Sequence, residues 1–99
     1  MSARPYSVRI ADDVLADLDR RLAVTRWPDE VAASGWDYGF PLEYLKDLVS
    51  YWRTKFRWRH WEERLNSLPN FRTQVGGLGI HYLHVHGKGP HPLPLLLTH

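Results

Sequence analysis

Phe71-Arg72-Thr73-Gln74-Val75-Gly76-Gly77-Leu78-Gly79-Ile80-His81-Tyr82-Leu83-His84-Val85-His86 is the stretch in which the sequence changes its period. Phe71, Thr73 and Val75 alternate with Arg72 and Gln74, as the side chains of a half-buried strand do. Gly76, Gly77 and Gly79 supply a turn, and residues 80–86 read as a second strand, so the two are predicted to form a hairpin. A Gly- and Pro-containing loop over 87–92 follows. Residues 93–98 then carry Leu95, Leu96 and Leu97 in a row, and a continuous apolar run of this kind predicts a strand covered on both faces. A Leu-rich strand left uncovered at the end of a chain invites aggregation. The chain is therefore expected to be a truncated piece, with more sheet to follow His99.

Upstream of the hairpin the period is helical. Leu42, Leu45, Val49, Trp52 and Phe56 step by three and four without a miss, after Pro41, which suits the first position of a helix. A break near Arg57 separates this helix from a shorter one with Trp58, Trp61, Leu65 and Leu68 on its face, ended by Asn66 and Pro69. Before them, Leu15, Leu18 and Leu22 form one apolar stripe on a helix predicted to run from a cap at Asp12 or Asp13 to about Thr25. Asp12 and Asp13 near its start and Arg20 and Arg21 near its end suit the helix dipole. Pro28 stops it, residues 27–40 form a loop pinned by Trp36, Tyr38 and Phe40, and residues 7–10 are expected to be extended. The two longer helices are expected to bury their stripes against each other, Leu45, Val49, Trp52 and Phe56 against Leu15, Leu18 and Leu22. The fold class is thus helices followed by the first strands of a larger sheet, a helical part over about 1–69 and a strand part over about 70–99.

Composition narrows the function classes. Thirteen basic against eleven acidic residues give a net charge of +2, too balanced to argue for nucleic acid. The apolar fraction of 43% argues against disorder, and five Trp in 99 residues point to aromatic packing. With no cysteine, no disulfide contributes. No run approaches the roughly 20 apolar residues of a membrane span, and the first ten residues are too polar for a secretory signal. A soluble, cytoplasmic protein without membrane attachment is the expectation.

Three groups of residues bear on chemistry. His84 and His86, two apart on a strand, could share a metal, but no cysteine is present and His91 lies in a loop, so they are read as histidines bonded to backbone or water. Neither a metal nor a cofactor is expected. Trp52-Arg53-Thr54-Lys55-Phe56-Arg57-Trp58-Arg59-His60-Trp61 interleaves bases with aromatics, yet the aromatics keep helical spacing and continue the stripe from Leu42, so packing with a solvated basic face is the better reading. Gly76-Gly77-Leu78-Gly79 precedes a strand and lacks the Lys-Ser/Thr of a phosphate loop.

The order of landmarks says more than any of them alone. Leu18-Asp19-Arg20-Arg21-Leu22 leads to Thr25-Arg26-Trp27-Pro28, then Gly35-Trp36, Tyr38-Gly39, Tyr51-Trp52, Phe56-Arg57-Trp58-Arg59, Glu63-Arg64-Leu65-Asn66, Pro69-Asn70-Phe71, Gly79-Ile80-His81-Tyr82-Leu83-His84 and Leu93-Pro94-Leu95-Leu96-Leu97-Thr98-His99. This succession resembles the N-terminal domain of the microsomal-type epoxide hydrolases, over nearly the whole chain. The resemblance implies a single segment over 1–99: an N-terminal helical meander followed by the first three strands of an α/β-hydrolase sheet. Arg57 departs from the family, which often has an acidic residue there. The membrane anchor of the mammalian members has no counterpart here, which makes the chain look like the soluble branch.

The resemblance also implies a chemistry for a full-length parent. An Asp carboxylate opens the epoxide as a covalent ester, and a His with an acidic partner activates the water that releases a vicinal diol. Two cap tyrosines protonate the epoxide oxygen. All of these lie beyond position 99 in the family pattern, so no catalytic residue is assigned and the chain alone is expected to be inactive. His99 matches the first position of the family's His-Gly-X-Pro motif, whose backbone helps form the oxyanion hole, and here it marks a boundary. Epoxide and water are the implied substrates, detoxification the implied role, and a homodimer an admissible assembly. The alternative is a non-enzymatic relative that acts as a binding module.

Overall fold

A computed structural model describes residues 2–98 of the chain. Contacts divide it into two units: Arg9–Trp61, and a second made of Met1–Val8 with Glu62–His99.

In the first unit, helix α1 spans Asp12–Ala23 and α2 spans Leu42–Thr54. The cap of α1 is Ala11, whose carbonyl accepts from Leu15 N at 3.3 Å, so Asp12 and Asp13 sit inside the first turn, where the dipole favours them. The helix stops at Ala23, two residues before the predicted end. There Thr25 Oγ1 turns back to donate to Leu22 O at 2.8 Å. Pro41 precedes α2 with extended ψ, as a residue that lacks the N–H a helix interior needs. The break at Arg57 has a backbone cause: Lys55 N and Phe56 N both donate to Tyr51 O, at 2.8 and 3.1 Å, and close α2 before α3 begins at Trp58. Arg53 Nε reaches Asp19 Oδ1 at 3.0 Å between α2 and α1, and Arg59 pairs with Asp12.

Helix α3 spans Trp58–Asn66 and its C-terminal half belongs to the second unit. There β1 (Arg4–Pro5), β2 (Asn70–Val75) and β3 (Leu78–Leu83) form an antiparallel sheet in the order β1-β2-β3. Phe71 pairs with Tyr82 and Thr73 with Ile80. The turn is two residues long, Gly76 and Gly77, with φ of 56° and 81°. Both lie in the left-handed region that a two-residue hairpin of this twist demands and that side chains resist.

Three expectations are corrected. The extended N-terminal segment is Arg4–Pro5, ahead of residues 7–10, and it pairs with Phe71 and Arg72. Residues 93–98 form no strand: they have no ladder partner among the described residues, and strand identity rests on pairing rather than on side-chain pattern. The sheet's third strand is therefore β1. Finally, the stripes of α1 and α2 are not buried. Trp52 remains 43% exposed, and no described residue buries an apolar side chain.

Exposure changes what a mutation does. In this chain by itself, Trp52→Ala is expected to leave the helical content nearly unchanged, because the side chain is 43% exposed and the ~3–5 kcal/mol loss of a buried aromatic does not apply. Far-ultraviolet circular dichroism of both forms measures the difference.

Candidate functional site

Two features stand out, one in each unit. The first is an open hollow of about 700 Å³ beside α1 and α2, lined by Val14, Leu15, Leu18, Leu48, Trp52 and Phe56 among others. The periodicity that makes each helix amphipathic puts these side chains on one face. They face one another across a gap that they do not fill. Asp17 and Arg21 also border the hollow. Asp17 accepts from Arg21 Nε at 2.6 Å and pairs with Arg20. The hydrogen bond from Arg21, joined by that from Arg20, holds the Asp17 carboxyl below its ordinary range. A lowered folded-state value means that this pairing supports α1 above the ordinary carboxylate range and is lost as pH falls through the lowered value. The helical signal of the chain is therefore expected to decline in that acid range, and Asp17→Asn should remove its own part of the decline. Titration of ellipticity at 222 nm from neutral to strongly acid pH checks this.

The second feature is polar. Asn70, 6% exposed, sits at the junction of α3 and β2. Its Nδ2 donates to Leu65 O and Leu68 O, both at 2.7 Å, and its Oδ1 lies 2.9 Å from His81 Nε2. With both amide hydrogens committed to carbonyls, Oδ1 must accept, so His81 donates from Nε2. The Tyr6 ring meets His81 edge-on at 5.4 Å, and the Arg72 guanidinium lies over the Tyr6 ring, 5.1 Å from its centroid. Asn66 clamps the N-terminal segment: it accepts from Val8 N at 2.7 Å and donates to Val8 O at 2.8 Å. Glu62 is 4% exposed. The amides of Asn66 and Asn70 thus hold backbone in place.

The residues singled out in the sequence fare differently. His84 and His86 stand with ring centroids 4.6 Å apart, and they extend a ring row in which Phe71 stacks on Tyr82 at 5.6 Å and tilts toward His84 at 6.5 Å. Among the described residues no group of three or more His, Cys, Asp or Glu is placed to hold a metal. In the basic-aromatic stretch, Trp52, Phe56 and Trp58 line the hollow, Phe56 stacks on Trp61, and Arg53 and Arg59 engage carboxylates of α1. His99 lies outside the described residues. Among the described residues no helix is long and apolar enough to cross a membrane. Asn66 and Asn70 went unrecognised as tethers. The available signal was their position at a helix end, where unpaired carbonyls and a neighbouring backbone call for side-chain amides.

Helices leading into a small antiparallel sheet, with apolar faces open to solvent, are the features that a comparison must match. A family model described as "Epoxide hydrolase N terminus" matches residues 3–99. A relative from Stigmatella aurantiaca (strain DW4/3-1), an epoxide hydrolase by its assigned name, is 48% identical over 95 residues, which are 96% of this chain and 22% of that protein. Epoxide hydrolase 1 of Oryctolagus cuniculus is 40% identical over 99% of this chain and 22% of its own length. The solved structure of the Aspergillus niger epoxide hydrolase superposes with a TM-score of 0.78 at 32% identity, covering 84% of this chain and 22% of that one. The chain belongs to the epoxide hydrolase N-terminus family and has the fold of the opening part of an α/β-hydrolase. It spans 22% of the length of the curated relatives it matches.

Proposed function

We propose that this chain serves as the N-terminal structural part of an epoxide hydrolase, and that its apolar faces are covered by the remainder of such an enzyme. The observation that carries the proposal is that no apolar side chain is buried among the described residues, although the helices are strongly amphipathic. Leu48, Trp52, Leu93, Leu95, Leu96 and Leu97 are exposed apolar side chains, and an exposed apolar surface of this kind calls for a covering partner.

The whole enzyme would hydrolyse an epoxide to a vicinal diol. A carboxylate oxygen attacks an epoxide carbon, the C–O bond breaks, and the epoxide oxygen takes a proton. Water then cleaves the ester and restores the carboxylate. None of these groups is assigned to a residue of this chain. Support for the reaction is the family membership and the names of the relatives.

The test joins this chain to the part of the Aspergillus niger enzyme that follows its matched region. The chimera is expected to release diol from styrene oxide, and the 99-residue chain alone is expected not to exceed the buffer rate. Diol formation by the chain alone would overturn the proposal. An inactive, unfolded chimera beside a cooperatively folded free chain would do the same and favour a binding module.

A further inference from the structure

No further inference is drawn: the strongest candidate, the exposed aromatic patch of Trp36, Phe40 and Tyr44 at the approach to α2, is an unpartnered apolar face, and nothing in the structure shows what covers it.

Discussion

Purified by itself, the chain is expected to self-associate and to melt without a sharp transition. Leu93, Leu95, Leu96 and Leu97 are 92%, 81%, 87% and 83% exposed. Full burial of one Leu side chain is worth about 1.5–3 kcal/mol, and a whole domain is stable by only about 5–15 kcal/mol. Four leucines without cover therefore forgo a stabilisation comparable to that of a domain. The face lined by Leu15, Leu18, Trp52 and Phe56 adds to the deficit. Association of copies hides some of this surface without giving a unique fit. Size-exclusion chromatography with light scattering and a calorimetric melt measure both parts of the expectation. Leu95→Lys combined with Leu97→Lys should shift the population toward monomer, because charge on the segment opposes association. A clean monomer with one cooperative endotherm would show that the chain stands alone as a domain.

Asn70→Ala is expected to loosen the junction of α3 with the sheet. One side chain satisfies two carbonyls and one imidazole N–H, at 2.7, 2.7 and 2.9 Å, in a position that is 6% exposed. Alanine leaves all three without that partner, and a buried group that loses its hydrogen bond costs about 1–3 kcal/mol. The sensitive probes are the amides of Tyr6 and His84, which donate to Asn70 O and Pro69 O at 2.9 and 3.1 Å. Their hydrogen-exchange protection should fall by about tenfold or more, the equivalent of about 1.4 kcal/mol. Asn70→Asp should fall as well, since a carboxylate keeps the acceptor for His81 but cannot donate to Leu65 O or Leu68 O. Unchanged protection in both variants would show that the backbone ladder holds this junction without Asn70.

What could be read from residue order divides cleanly from what could not. The period-three-and-four steps of Leu42 to Phe56 and the alternation from Phe71 placed α2 and β2 within a residue or two, because amphipathic periodicity is a local property. Paired glycines placed the hairpin turn, since the left-handed backbone at Gly76 and Gly77 is itself a local requirement. The landmarks from Leu18 to His99 likewise identified the family, which the match over residues 3–99 bears out. Burial was misjudged for a physical reason. An apolar stripe states that a face must be covered and not which segment covers it, so Trp52 was assigned to α1 although the two helices leave a hollow between them.

The sequence by itself therefore determined the three helices, the β2–β3 hairpin with its turn and the family, all of which depend on neighbours within a few residues or on the succession of such patterns. Only the tertiary structure decided that Arg4–Pro5 is the third strand, that 93–98 has no ladder, and that Asn66 and Asn70 tie distant backbone together. Each of these depends on a partner remote in the chain. Val8 and Asn66 are 58 residues apart, and no periodicity within either segment encodes that meeting. A strand without a partner and an amide without its carbonyl have no local signature, because hydrogen bonding between segments is a property of the pair.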